Sequence, residues 1–179
     1  FGMAKVITAT NVFAHIDDLH LFMENIRYIL KRDGVFIIEA PQFLYLLKNV
    51  EFDTIYHEHL SYLSIKPLSN FFKKFNFEIT NVEKKDIHGG SIRVHVSFKK
   101  QFKINSSVKK VISEEAKYKI DNKSVLNNFA NKVILNRMKL TQLLINLKLK
   151  NKKIIALSAP AKGMTLLNYC KIDKDFIDF

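Results

Sequence analysis

The sequence predicts an α/β fold: a short parallel sheet with an antiparallel hairpin at its edge, then helices and the opening of a second α/β unit. Three observations carry this prediction. A strand, a helix and a second strand follow one another within residues 5–40, which is the order of a βαβ unit. Two strand-length segments flank a Gly-containing reversal in residues 77–99. From residue 104 the chain becomes rich in Lys, Glu and Asn at helical spacing.

The first strand and helix have clear local signals. Lys5–Thr10 is short and β-branched, which predicts a buried strand. Asp17 and Asp18 supply an N-cap and first-turn negative charge for a helix. Apolar residues then recur at helical spacing, at Leu19, Phe22, Met23, Ile26, Ile29 and Leu30. We expect Lys31–Arg32 in the last turn of this helix and Gly34 as its left-handed cap.

The second strand is predicted at the apolar run Val35–Ala40, which suits a parallel strand covered on both faces. Ligands of such sheets bind beyond the carboxyl ends of the strands. Asn11–His15 and Glu39–Gln42 would both lie there. We therefore expect these two segments to face one ligand.

The middle of the chain predicts two helices and a hairpin. Phe43–Lys48 is aromatic and helical in character, and a helix capped by Ser64 is expected to run to residue 75. Phe77–Lys84 and Ser91–Lys99 are predicted as antiparallel strands, with Asp86–Gly90 as the reversal between them.

The last third predicts helices and a new α/β unit. Ser124–Asn151 is nearly free of helix breakers, which indicates one long helix. Lys153–Ala159 is apolar and strand-like, and Pro160–Gly163 leads into a helix at Met164–Cys170. We place a domain boundary near Ile104, which divides the chain into residues 1–103 and 104–179.

The composition is that of a globular chain. Its 179 residues are 47% hydrophobic, which is ample for a core. The longest apolar runs are far shorter than the ~20 residues that span a bilayer, so we expect no membrane partner. Cys170 is the single cysteine. It excludes an internal disulfide and a Cys-based zinc cluster within the chain, and it favours a reducing, cytoplasmic location.

The charge invites a nucleic-acid interpretation. The formal net charge is +12, from 29 Lys and Arg against 17 Asp and Glu. Most of the excess is scattered Lys, and no basic motif is interleaved with exposed aromatic residues, so we expect no nucleic-acid partner. A non-catalytic nucleotide- or nucleic-acid-binding module stays the alternative from another functional class, and it predicts salt-sensitive binding.

The segment Tyr56–Tyr62 is the strongest candidate for chemistry, because seven residues hold two imidazoles, a carboxylate and two phenols. On an extended segment His57 and His59 would share a face, with Glu58 on the other. A metal site would need a third ligand, and the helical His-Glu-x-x-His spacing is absent, so no metal is expected. Acid–base chemistry needs no metal, because an imidazole with its ordinary pKa of about 6.5 accepts protons at neutral pH. A Tyr hydroxyl can donate to developing oxyanion charge.

Other polar segments are less specific. His15 follows a predicted strand end and is a candidate substrate donor. Gly89–Gly90, within the block His88–Ser91, suits a hairpin turn that needs positive φ, or a close backbone approach to a ligand, and neither interpretation excludes the other. Ser158–Gly163 could hold a phosphate but lacks the spacing of a P-loop, and Lys162 is equally well explained as a surface lysine. Two further histidines have no partners in the sequence and are interpreted as structural: His20 and His95.

Several blocks of this chain resemble the S-adenosylmethionine-dependent C-methyltransferases that act on nucleotide-linked keto-deoxysugars. The blocks are Asn11–His15, Glu39–Pro41, Tyr56–Tyr62, His88–Arg93, and Ala159–Gly163 followed by Leu166–Cys170. They occur in the family's order and cover almost the whole chain. The Tyr-His-Glu-His and His-Gly-Gly-Ser blocks are the most specific.

The resemblance implies three domains: an N-terminal zinc-binding domain, a central class I, Rossmann-like methyltransferase domain, and a C-terminal α/β domain. This chain would hold the second half of the central domain and the start of the last, truncated at both ends. Any zinc would belong to the missing N-terminal domain. The resemblance also implies S-adenosylmethionine as the cofactor and a nucleotide sugar as the substrate. A monomer is expected, and an O- or N-methyltransferase on the same fold is the alternative within enzymes.

The resemblance also assigns roles to residues. The histidine matching His59 is the family's base, which removes the proton next to the ketone, and Tyr56, Glu58 and His15 would line the same pocket. A substrate-binding set is expected at Asn11, His57, His88, Gly89, Gly90, Ser91, Arg93 and Lys162.

The glycines depart from the family's pattern. There are only five, at positions 2, 34, 89, 90 and 163, and they form no Gly-x-Gly loop. Cofactor-binding residues are therefore not assigned. We predict that this chain alone binds the cofactor weakly and does not turn over.

Overall fold

A computed structural model describes residues 2–179. The elements are, in chain order, β1 Ala4–Thr10, α1 Leu19–Ile29, β2 Leu30–Pro41, α2 Phe43–Asn49, α3 Ile65–Lys73, β3 Phe77–Lys85, β4 Ser91–Phe98, α4 Ser106–Tyr118, α5 Lys123–Leu149 and α6 Ala161–Cys170. Short 3-10 turns lie at Phe13–His15 and Phe52–Thr54. The chain divides into a first unit, up to Asn49 with Glu58–Ile120, and a second unit, Val50–His57 with Asp121–Phe179.

The sheet of the first unit has the strand order β1-β2-β4-β3. β1 and β2 are parallel, whereas β4 runs antiparallel to both of its neighbours. The chain thus places its last strand between β2 and β3. This confirms the predicted parallel pair extended by an antiparallel hairpin.

The apolar core lies on one face of this sheet. Its strand residues include Phe36, Ile38, Val94 and Val96, and its helical residues come from α1, α3 and α4: Met23, Ile26, Leu68, Phe72, Val108 and Val111. On the other face Val6 is 56% exposed, and Val35 and Ile37 are only half-buried. The expectation that β2 is covered on both faces is therefore met on one face only.

The end of α1 differs from the prediction. The helix ends at Ile29, so Lys31 and Arg32 belong to β2 and not to a last helical turn. Gly34 is not a left-handed cap either, because it lies in β2 without a positive φ. A Cβ there would approach the carbonyl oxygens of Lys5 and Lys31 to 2.9 Å. The glycine therefore allows close passage of the backbone beside β1.

Other boundaries differ in smaller ways. Ser64 occupies the N-cap position of α3, but its side chain makes no capping hydrogen bond, and the helix ends at Lys73. The predicted long helix and hairpin are confirmed by α5, β3 and β4. No helix within residues 2–179 combines the length and hydropathy needed to cross a bilayer.

The second unit lacks the strand predicted at Lys153–Ala159. This segment instead makes backbone hydrogen bonds with the last residues: Ala156 N–H donates to the Phe179 carbonyl, and Asp178 N–H to the Ile154 carbonyl, both at 2.8 Å. The segment is strand-like in composition, but among residues 2–179 it has no strand to pair with. α6 follows it, beginning at Ala161. The boundary predicted at residues 103 and 104 stays a prediction, and the two compact units meet at residues 120 and 121.

Candidate active site

The loop after β1 is fixed by its backbone and by one buried ring. Asn11 has φ 54°, and its N–H donates to the Glu39 carbonyl at 2.8 Å. Phe13 is fully buried among the rings of Phe22, Phe36 and Phe72, with centroids 6.0 to 6.4 Å away. The buried ring anchors the turn, and His15, two residues on, is exposed at the carboxyl edge of the parallel strands.

The segment after Glu58 docks on this loop. The N–H groups of Leu60 and Ser61 donate to the Ala14 carbonyl at 2.9 and 3.3 Å. These bonds bring the rings of His15 and His59 to a centroid separation of 4.9 Å, tilted by 57°. Two residues predicted to share a site, and separated by 44 positions in sequence, therefore lie side by side.

The turn between β3 and β4 reaches the same edge. His88, Gly89 and Gly90 all have positive φ, at 51°, 80° and 126°. Asn11 Nδ2 lies 3.5 Å from His88 Nε2, and Asn49 Nδ2 donates to the Gly89 carbonyl at 2.7 Å. The structure therefore brings Asn11 and His88 together, as predicted for the substrate-binding set.

Two residues at the end of that turn, Gly90 and Ser91, make structural contacts within the protein. Gly90 is buried, and a Cβ on it would come within 2.7 Å of the Tyr45 ring. The backbone at Gly90 therefore passes close to the Tyr45 side chain. Ser91 is also fully buried, and its hydroxyl donates to the Ile87 carbonyl at 3.1 Å. Both residues are buried, although substrate contact was predicted for them.

Arg93 belongs to a charged row on the sheet. Its Nε and Nη2 donate to Glu39 Oε2 at 2.7 and 2.6 Å, and Glu39 is only 6% exposed. Glu83 lies beside them, bonded to Lys85 at 2.6 Å and to His95 at 2.8 Å. Hydrogen bonds from Lys85 and then His95 lower the pKa of the Glu83 carboxyl. Arg93 is therefore engaged by a buried carboxylate, and His95 has a structural partner that the sequence did not reveal.

The cluster at Tyr56–Tyr62 is not extended. Residues 56–58 form a bend and a turn, so the shared face inferred for His57 and His59 is wrong. Tyr56 and His57 belong to the second unit, whereas Glu58 and His59 belong to the first. Tyr56 packs against the His57 ring at 6.3 Å. Glu58 is exposed in this turn, and two residues later the Leu60 N–H donates to the Ala14 carbonyl.

Lys162 belongs to the second unit. It is in the first turn of α6 and is half-buried.

A buried carboxylate was missed by the sequence interpretation. Glu115 in α4 is 2% exposed and accepts the Ile65 N–H with both oxygens, at 3.1 and 2.9 Å. Gln42 Nε2 donates to Glu115 Oε1 at 2.7 Å. A signal was present, because Val108, Val111 and Glu115 recur at helical spacing and so place a carboxylate on the apolar stripe.

The sheet order, with its reversed strand and its polar carboxyl edge, defines this chain as part of a methyltransferase-type α/β protein. Residues 2–82 match the sequence model of a methyltransferase domain. Residues 86–179, just over half of the chain, match that of the C-methyltransferase C-terminal domain. The chain therefore belongs to the C-methyltransferase family.

A curated relative agrees. The C-methyltransferase NovU of Streptomyces niveus is 31% identical over 179 residues, a match that covers 99% of this chain and 43% of the relative. This chain thus spans less than half the length of that protein.

The family implies S-adenosylmethionine, and the described residues do not form a complete site for it. Within residues 2–179 the glycines with positive φ are Gly89 and Gly90, in a strand-to-strand turn. The loops that follow β1 and β2 contain no glycine, so neither is a Gly-rich loop opening a helix. The same residues hold no group of three or more His, Cys, Asp and Glu side chains that could bind a metal ion.

Proposed function

We propose that this chain supplies the acceptor side of an S-adenosylmethionine-dependent C-methyltransferase. Its substrate would be a nucleotide-linked deoxysugar that is methylated at the carbon next to a ketone. The observation that carries the proposal is the pair of imidazoles at the carboxyl edge of the sheet, His15 and His59, 4.9 Å apart. Ligands of open α/β sheets bind at this edge.

The chemistry of such a reaction calls for these groups. A carbon next to a ketone becomes a nucleophile only after its proton is removed, and the enolate oxygen then needs hydrogen-bond donors. A neutral imidazole nitrogen of His59 would take the proton, and His15 beside it would donate to the enolate oxygen. Asn11 and His88, 3.5 Å apart, offer further polar groups for the sugar. When bound, S-adenosylmethionine supplies the electrophilic methyl group.

Other roles rest on the resemblance alone. Tyr56 would be a second oxyanion donor, Glu58 would orient a base or bind sugar hydroxyls, and His57 and Lys162 would contact the nucleotide sugar. A cytoplasmic location goes with the proposal, since Cys170 is a free, buried thiol.

The test is the variant His59→Asn in an active enzyme that contains this chain. We expect methylation and solvent-deuterium exchange at the α-carbon to fall together, by about 10²- to 10⁴-fold, because both need the same proton transfer. The control is His20→Asn, since His20 packs against the rings of Phe71 and Phe75 and should leave both rates unchanged. Exchange retained in His59→Asn would assign the base to another residue. An NMR spectrum of the product that places the methyl group on oxygen or nitrogen would refute C-methylation.

A further inference from the structure

We propose that Glu115 is a positioning residue, which holds the His59 segment and the His88 turn in place at the carboxyl edge of the sheet. Its catalytic consequence rests on the function proposed above, whereas the positioning itself does not. Glu115 lies on α4, outside every segment that the family resemblance selects.

The first connection runs from Glu115 to the His59 segment. Both carboxylate oxygens accept the N–H of Ile65, the first residue of α3. Ser64 stands at the N-cap position but makes no capping bond, so the carboxylate of another helix does the capping. His59 lies six residues before Ile65. The Glu115 contact thus fixes the start of α3, the next anchor along the chain after the Leu60 and Ser61 bonds to Ala14 and the Phe43 bond to Leu63.

The second connection runs through Gln42 to the His88 turn. Gln42 is 1% exposed, and its side chain donates to Glu115 at 2.7 Å. Its main-chain N–H donates to the Gly90 carbonyl at 3.0 Å, two residues from His88. Gln42 also forms a bridge with Leu63, and the Phe43 N–H donates to the Leu63 carbonyl at 2.9 Å. One carboxylate therefore joins the end of β2, the turn after β3 and the start of α3.

A Gln side chain could not make the same contacts as Glu115. Gln42 Nε2 and the Ile65 N–H are both donors, and a carboxylate is an acceptor at both oxygens. A Gln at this position would turn an NH₂ group toward the Gln42 amide or toward the Ile65 N–H. Either arrangement loses a contact and leaves buried donors facing each other, which is costly in a protein interior.

The experiment compares Glu115→Gln with Glu114→Gln. Glu114 is the adjacent carboxylate on α4 and pairs with Lys84 near the surface, so it is a matched control for the loss of one charge. In the 179-residue chain, the reporters are the imidazole NMR signals of His59 and His88 and the hydrogen-exchange rate of the Ile65 amide. We expect Glu115→Gln to shift both histidine signals and to speed Ile65 exchange about tenfold, while circular dichroism stays unchanged. Glu114→Gln should leave all three reporters as they are.

The catalytic arm uses an active enzyme that contains this chain. Glu115→Gln should lower the rate of α-carbon deuterium exchange about tenfold or more, with KM for the nucleotide sugar nearly unchanged, because a positioning residue does not touch substrate. Should Glu115→Gln not fold, Gln42→Met tests the same link from its other end and should shift the His88 signal.

The outcomes separate the two proposals. If His59→Asn retains exchange but Glu115→Gln shifts both histidine signals, the positioning holds and the assigned base is wrong. Unchanged signals of His59 and His88 in a folded Glu115→Gln chain would overturn this inference, whatever His59→Asn does.

Discussion

Burial raises the pKa of the Glu115 carboxyl, and the nearby Glu114 charge adds to the rise. Hydrogen bonds from the Gln42 amide and from the N–H groups of Ile65 and Lys66 oppose it. These hydrogen bonds stabilise the ionised carboxylate, whereas burial away from water destabilises it. A raised carboxyl pKa means that folding favours the protonated form, so Glu115 helps stability most at low pH.

This gives a pH prediction for Glu115→Gln. The stabilising contribution of Glu115 is fully present below its ordinary pKa of 4.5 and is lost as the pH rises through the higher folded value. The variant should therefore gain stability relative to the wild type as the pH is raised from 4.5 toward 7. Urea unfolding of both proteins across this range measures the difference. A difference that stays constant, or moves the other way, would show that the raised pKa is incorrect.

Gly90 gives a second prediction at the residue scale. A Cβ would meet the Tyr45 ring, and φ is 126°, a region that L side chains rarely adopt. Gly90→Ala should therefore lower the free energy of unfolding by about 1–3 kcal/mol. Gly2→Ala is the control, because a Cβ at Gly2 meets nothing within 4 Å. Thermal unfolding of the two variants makes the comparison, and equal melting temperatures would mean that the turn can move away from Tyr45.

At the scale of elements, α1 is the clearest case of local sequence control. Both Asp17 and Asp18 were expected near its start, and the structure selects Asp18, whose side chain accepts the Leu21 N–H at 2.9 Å. Asp18→Ala should cost about 1 kcal/mol of stability, since the cap is lost. Asp17→Ala, which removes the same charge but no such bond, should cost less. Denaturant titration measures the free energy of unfolding of both variants. Equal losses of stability would mean that the negative charge, and not the capping bond, stabilises the helix.

The elements also show how far sequence patterns reach. β1, α5 and the β3–β4 hairpin follow from hydrophobic periodicity and turn residues, because these signals are local. The end of α1 did not, because Leu30 satisfies the helical period and yet is extended, with its side chain fully buried in the core. The strand predicted at Lys153–Ala159 is absent for a different reason. The segment has the composition of a strand, but a strand also needs a partner, which composition cannot supply.

In the candidate site, too, some features follow from local sequence patterns and others do not. His15, His59 and His88 could be selected from polar residues beside predicted strand ends and turns. The pairing of His15 with His59 depends on the Ala14 carbonyl, which no side-chain pattern reveals. Glu115 was overlooked because its partners are an amide and a main-chain N–H, 73 and 50 positions away. Interactions of this kind are set by tertiary packing.

For the whole molecule, the positive charge is only partly balanced by ion pairs. Lys5, Lys84, Lys85 and Lys148 each pair with a carboxylate, and Arg93 pairs with Glu39. Such exposed lysine pairs contribute little to stability, so the net charge of +12 acts mainly as a long-range field. That field favours an anionic substrate, and a nucleotide sugar carries the phosphate charges it would attract.

The glycine pattern sets the last prediction, which concerns the cofactor. A Gly-rich loop lets the backbone approach a nucleotide-like ligand at the start of a helix, and none occurs within residues 2–179. Calorimetric titration of the 179-residue chain with S-adenosylmethionine should therefore show affinity weaker than micromolar. A methyltransferase that has the loop, titrated under the same conditions, is the positive control. Because His15 and His59 lie side by side within this chain, the same chain should still bind a nucleotide sugar measurably. Micromolar binding of S-adenosylmethionine would mean that other residues of this chain replace the loop.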